Sequence, residues 1–278
     1  MKHNGLIFLL VFSLHGFGQQ VKPLKLVAEM FDSIKNIKTL RYKIKVVERN
    51  SSGFNVSGSE NKIQSNPLKI YFHNPEKKIE ILYVAGANNN KAWVKPNSFP
   101  YITVLLDPLG ALMRKNQHYT IFELGFDFAG KMIASALAKE KDLGAKNLNC
   151  YGKKEINGFS CYMLVYENKN FGYVEYTVGH KETITSIASK LQVSDFMLRL
   201  KNDLVNDYGY LKQGSKLMVP NFFAKRVVFY LDEKTMLPVS MTVFDDIGLF
   251  ESYEFLNVVI NKPIDSKEFT KEYKGYGF

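Results

Sequence analysis

"YTVGHKETITSIASKLQVSDFMLRLKND", residues 176–203, is unlike the text on either side of it. Its flanks alternate Tyr, Phe and Val with polar residues, the pattern of half-buried strands. The stretch itself opens with a short strand, "YTV", and continues as a helix over 182–191, with Ile184, Ile187, Ala188 and Leu191 on one face. Ser194 is placed to cap a second helix over 196–202. Asp195 falls in its first turn, where a negative charge suits the helix dipole. A turn at Gln213-Gly214 then leads to a strand that stops at Pro220. Residues 176–220 therefore read as a β-α-α-β unit that interrupts a β-rich chain.

With that unit set aside, the remainder reads as one sheet with helices. "PLKLVAEMFDSIKNIK" (23–38) spaces Leu24, Val27, Met30, Phe31, Ile34 and Ile37 by threes and fours behind a proline, which predicts an amphipathic helix. Short strands follow at 40–49, 57–66, 68–74, 79–86, 91–96 and 101–106, the last ended by Asp107-Pro108. A second long helix, in one piece or two, is expected over 120–142, where Ile121, Leu124, Phe128, Met132 and Ile133 give one apolar face. Residues 146–169 form a hairpin about Asn157-Gly158, and 225–261 read as three strands joined by "DEKTMLP" and "DDIG", with Asp245-Asp246 as turn chemistry. The hairpin register sets Cys161 opposite Lys154. Cys150 then lies about 13 Å away along the strand, beyond disulfide reach. The fold class is α+β: a curved antiparallel sheet, or half-barrel, with packed helices and a small inserted β-α-α-β module. The alternating aromatics on its strands fit either a solid core or the lining of a cavity.

Residues 1–18, "MKHNGLIFLLVFSLHGFG", have the layout of a secretory signal peptide, with an apolar run too short to span a bilayer. The mature chain is expected to be exported, periplasmic in a two-membrane cell, with no transmembrane segment. Loss of Lys2 with the leader lowers the net charge from +10 to +9. Such a charge suits acidic envelope partners, or it is simply a solvated basic surface. The basic residues are dispersed, which argues against nucleic acid. His73, His118 and His180 are isolated, and no metal-ligand spacing, nucleophile elbow or phosphate loop occurs. No catalytic residue, metal site or cofactor is therefore expected. A wall hydrolase is disfavoured for the same reason.

The unit from Tyr176 to Pro220 resembles the LysM domain in order and spacing ("YTV…ETITSIASKLQVS…LKQGSKLMVP"). That family binds N-acetylglucosamine-containing glycans such as peptidoglycan, and its two strands pair, which brings the module's ends together. The resemblance divides the chain into a host at 19–172 and 223–278 and an insert at 173–222. It implies a glycan-binding surface from Gly179, His180, Lys181, Glu182 and Thr183 on one loop and Asn202, Tyr208 and Tyr210 on another. The family's usual Gly-Asp-Thr is Lys181-Glu182-Thr183 here, and the second loop is longer. Two readings stay open: a working glycan module, or a degenerate one kept as a structural insertion.

The host segments "YKIKVVER", "NPLKIYF", "EILYVAG", "RKNQHYTI" and "YEFLNVVINKPID" resemble an uncharacterised exported bacterial family near the LolA/LolB lipoprotein-carrier superfamily. The resemblance implies an apolar cavity for a lipid or acyl chain, with Tyr42, Tyr71, Leu82, Tyr83, Trp93, Phe229 and Phe255 as candidate lining. Arg114 and His118 would either meet a ligand headgroup or hold a structural hydrogen-bond network. The function expected is a non-enzymatic binding protein that carries an apolar ligand and uses the insert to grip the wall. The alternative is an envelope structural or interaction protein with a solid core.

Overall fold

The structure, a computed structural model, describes residues 22–96, 99, 101–140 and 146–278. The expected leader lies outside the described residues. Eleven strands build one open sheet in the order β6-β5-β4-β3-β2-β1-β13-β12-β11-β8-β7, and every neighbouring pair is antiparallel. Its centre is β1 (Thr39–Asn50) beside β13 (Leu249–Ile260). On one side lie β2 (Gly53–Ser65), β3 (Leu68–Asn74), β4 (Ile79–Val84), β5 (Ala92–Lys95) and β6 (Val104–Leu106). On the other lie β12 (Pro238–Phe244), β11 (Arg226–Asp232), β8 (Phe159–Glu167) and β7 (Leu148–Ile156). Register breaks at Arg41/Lys43, Tyr230/Leu231, Val243/Phe244 and Cys150/Lys153 bend the strands and curve the sheet.

One face of the sheet carries the main core. Tyr42 and Ile44 of β1, Tyr253 and Phe255 of β13, Met241 of β12 and Phe229 of β11 point to the same side, as period-two alternation requires. Helices α1 (Pro23–Lys35) and α3 (Asp127–Glu140) close over them with Leu26, Val27, Met30, Met132 and Ile133. The aromatics touch one another: Phe126 and Phe255 lie 4.6 Å apart, Phe128 and Tyr253 4.9 Å, and Tyr42 and Phe255 5.8 Å. A void of about 10 Å³ remains between Ile133, Ala136, Leu148 and Val227, barely the space one water needs. On the opposite face, Tyr71, Leu82 and Trp93 of β3–β5 pack under a C-terminal strap bearing Ile264, Phe269, Tyr276 and Phe278.

The second long helix starts later than its apolar spacing predicts. Thr120 and Glu123 form a capping box around a single 3-10 turn, Ile121–Glu123, and Gly125 then adopts φ +90°, which no α-helix continues. The Gly125 amide donates to the Tyr42 hydroxyl at 2.8 Å, fixing that break to the sheet. A short helix, α2 (Ala111–Arg114), precedes it. The Asn157-Gly158 hairpin has the predicted register, with Lys154 opposite Cys161 and Cys150 opposite Leu164, and both thiols are free.

Between β8 and β11 the chain runs through β9 (Tyr173–Thr177), α4 (Ile184–Leu191), α5 (Asp195–Lys201) and β10 (Lys216–Pro220). β9 and β10 pair antiparallel as a separate two-stranded sheet. Val178, Ile184, Ile187, Leu198, Leu217 and Val219 give this segment its own apolar cluster. Helix α5 faces two ways, because its Phe196 and Met197, with Val205 just beyond, belong to the main core instead. The segment is therefore built into the host and does not hang from it.

Candidate functional site

The loop after β9 is held from within. The Glu182 carboxylate accepts hydrogen bonds from the Gly179 amide at 2.7 Å, the Tyr176 hydroxyl at 2.8 Å and Lys190 Nζ at 3.1 Å. Those donors, the Gly179 amide first, keep its carboxyl below the usual carboxylate range. Thr183 caps α4 by accepting from the Ser186 amide at 3.1 Å. Glu182 and Thr183 thus shape the loop, while His180 and Lys181 keep exposed side chains. In the second loop Asn202 is a brace, donating to the carbonyls of Leu198 and Met218 and accepting from the Met218 amide, each at 2.8 Å. The two loops meet where the Leu211 amide donates to the Glu182 carbonyl at 2.8 Å, and beside that bond Tyr210 is 73% exposed. The second loop also borders an open groove of about 490 Å³ lined by Asp203, Leu204, Val205, Asn206, Asp207 and Ser51 of the β1–β2 turn.

Tyr208 faces the other way. Its hydroxyl donates to the Arg114 carbonyl at 2.7 Å, and its ring lies 4.5 Å from the Arg199 guanidinium and 5.0 Å from that of Arg114. Arg114 donates to Asp195 and Thr185, both at 3.0 Å, and Arg199 also pairs with Asp195. Arg114, which sequence reading assigns either to a ligand headgroup or to a structural hydrogen-bond network, is thus the clasp between α2 and the β-α-α-β segment.

His118 sits deeper. Its ring lies 4.0 Å from Phe196 of α5 and 4.6 Å from Phe250 of β13. Nδ1 is 2.6 Å from Glu251 and Nε2 is 2.9 Å from the Arg49 carbonyl, so Nε2 carries a proton. Tyr119 donates to Glu251 at 2.7 Å, and the Tyr253 hydroxyl bridges Glu251 at 3.0 Å and Glu48 at 2.9 Å, its single proton serving one of the two. Burial pushes the His118 pKa down, but the Glu251 hydrogen bond and the charges of Glu48 and Glu251 outweigh it and leave the pKa raised. Burial raises that of Glu48, which the His118 charge only partly offsets. The network therefore favours the charged form of His118, and burial favours the neutral form of Glu48. Glu48, His118 and Glu251 also offer three ligand atoms within 4.8 Å of one another, the one such grouping among the described residues. Those atoms already engage each other and the two tyrosines, so a cation would have to displace the proton on His118. Sequence reading singled out His118 and missed Glu251, although its alternation with Tyr253 and Phe255 marks it as an acid on the inward face of β13.

The candidate apolar lining divides between two faces. Tyr42, Phe229 and Phe255 lie in the main core, and Tyr83 lies in an adjoining cluster with Ile70, Ala92 and Val94. Tyr71, Leu82 and Trp93 lie on the opposite face of the sheet, so the seven do not line one cavity. Sheet alternation is the reason: Tyr71 and Leu82 face each other across β3 and β4, one position out of phase with the inward pair Ile70 and Tyr83.

A family model described as a protein of unknown function (DUF1571) matches residues 42–178. The DUF1571 match takes in Glu48, Arg114 and His118 and ends before α4 and α5. No curated protein sequence matches the chain. Among solved structures, MucB superposes with a TM-score of 0.42 at 8% identity, covering 89% of this chain and 62% of that one. The Mycobacterium tuberculosis lipoprotein LppX gives 0.40 at 12% identity over 87% of this chain and 98% of that one. A LolA superfamily protein from Nitrosomonas europaea gives 0.34 at 8% identity over 91% and 99%. The chain thus spans about three fifths of the MucB structure's length. These likenesses carry no argument about ligand or activity.

Proposed function

We propose that the chain is an exported, non-enzymatic binding protein of the envelope whose β-α-α-β segment holds an N-acetylglucosamine-containing glycan on a rigid host. The observation that carries this reading is the junction of the two loops through the Leu211 amide and the Glu182 carbonyl. That bond joins the backbone next to Tyr210 to the backbone next to Lys181, and the side chains of Tyr210, His180 and Lys181 are all exposed. Helix α5 packs on the host through Phe196 and Met197, which leaves these three side chains free of it. A pulldown on insoluble peptidoglycan in high salt tests the reading, the salt removing the contribution of net charge. Retention is expected, with release by soluble N-acetylglucosamine oligomers and loss of most retention in Tyr210→Ala. Equal retention of that variant would sink the assignment. Deleting 176–220 is not a clean test, because it strips Phe196 and Met197 from the main core.

A second reading, carriage of an apolar or lipid-like ligand on the concave face, is favoured by the breadth of apolar surface there. It requires α3 to lift, since the interior is packed and the void of about 10 Å³ cannot admit an acyl chain. Native mass spectrometry of the freshly purified protein, with and without added lipid, decides whether that happens.

A further inference from the structure

The free edge of the large sheet carries apolar side chains that face solvent. β6 is the end strand on that side. Its inward residues, Val104 and Leu106, pack with Tyr83 and Val94, while Leu105 opposite Trp93 is 36% exposed. Before the strand, Tyr101 and Ile102 are 59% and 57% exposed; after it, Leu109 and Leu112 are 57% and 76% exposed. Leu109 precedes Gly110, the N-cap of α2, and Leu112 lies in the first turn of that helix. The turn is fixed by Asp107, whose carboxylate accepts the Leu109 amide at 2.9 Å and whose carbonyl accepts the Gly110 amide at 2.9 Å. A soluble surface scatters such residues singly, and a run of them marks a contact.

The charge around the run indicates the kind of contact. Between residues 91 and 115 the chain carries Lys91, Lys95, Arg114 and Lys115 against one acid, Asp107, which is engaged in the turn. Arg114 is tied to Asp195 and Lys95 to the Gly277 carbonyl, while Lys91, next to the Ala92 that pairs with Leu106, and Lys115, just after α2, are exposed. A second copy of the chain would set net charge +10 against itself across this edge. An anionic lipid surface instead meets both features, with tyrosine and leucine in the headgroup layer and lysine at the phosphates. No described helix is long and apolar enough to cross a membrane, so contact would be from one side.

We propose that the β6 edge docks on an anionic membrane surface, with Tyr101, Ile102, Leu109 and Leu112 inserted and Lys91 and Lys115 against the headgroups. This does not depend on glycan binding, since α2 and the sheet edge supply the surface. The test is co-sedimentation of the chain lacking its first 18 residues with phosphatidylglycerol/phosphatidylcholine vesicles and with phosphatidylcholine alone. Sedimentation with the anionic vesicles and little with the neutral ones is expected. The charge-preserving double variant Leu109→Ser/Leu112→Ser should lower partitioning about tenfold or more, with an unchanged thermal midpoint because both side chains are exposed. Lys91→Gln/Lys115→Gln should weaken binding to the anionic vesicles alone. Failure of the parent chain to sediment with anionic vesicles overturns the proposal. So does equal binding by the serine variant, or a serine variant that changes only the oligomeric state seen by sedimentation velocity.

Discussion

His118 is the residue on which two parts of the molecule close. Its ring stacks on Phe196, lies 4.6 Å from Phe250 and is hydrogen-bonded to Glu251. Removing one partner of a buried pair leaves the other uncompensated, so His118→Ala should cost about 3–5 kcal/mol of unfolding free energy by denaturant titration. The folded pKa of His118 lies above the ordinary 6.5. Its contribution is therefore complete below that value and is lost as the pH rises through the folded pKa. Glu48, with its pKa raised from the ordinary 4.5, favours the fold while protonated and acts in the same direction. The thermal midpoint should fall from near-neutral to alkaline pH, and His118→Gln should start lower and show a flatter slope. A parent midpoint that climbs with pH, or parallel slopes in the two proteins, would contradict this account of the network.

At the scale of the element, α5 matters most because it belongs to two cores. Phe196 and Met197 face the host, and Leu198 faces the segment's own cluster. Phe196→Ala should cost about 3–5 kcal/mol by the cavity it leaves. Calorimetry should show host and segment melting in a single transition, and two separated transitions would mean that they are independent units. The order strand, helix, helix, strand was legible in 176–220, because cap residues and three-four spacing are local signals. The second face of α5 was not, since "DFMLRLK" shows its apolar residues without showing which neighbour each one meets. The late start of α3 was likewise hidden: Leu124-Gly125 fits a helical spacing until Tyr42, 83 residues away in sequence, takes the Gly125 amide. The strands were readable by alternation. The phase between inward Ile70 and outward Tyr71 was not, because both neighbours are apolar.

For the whole molecule, the C-terminal strap decides which sheet face is wet. Glu268 receives bonds from Arg41 at 2.9 Å and 2.7 Å and from Lys62 at 2.7 Å, and Tyr276 stacks on Tyr71 at 3.8 Å. Those cationic donors, Arg41 first, hold the Glu268 carboxyl at about 2. Truncation after Asn261 should expose Tyr71, Leu82 and Trp93 together. Trp93 is the chain's single tryptophan, and Lys271 lies 4.0 Å from its ring, so its emission should shift to longer wavelength on truncation. Unchanged emission would show that the strap does not cover that face in solution.

The shared helix also fixes how the molecule transmits force. A module on a flexible linker lets its anchor drift before any strain reaches the body. Here a pull on the exposed loops near Tyr210 passes through α5 to Phe196 and His118, and from there into β13 at the middle of the sheet. A load applied at those loops would therefore be borne by the packed core that α5 shares with the host.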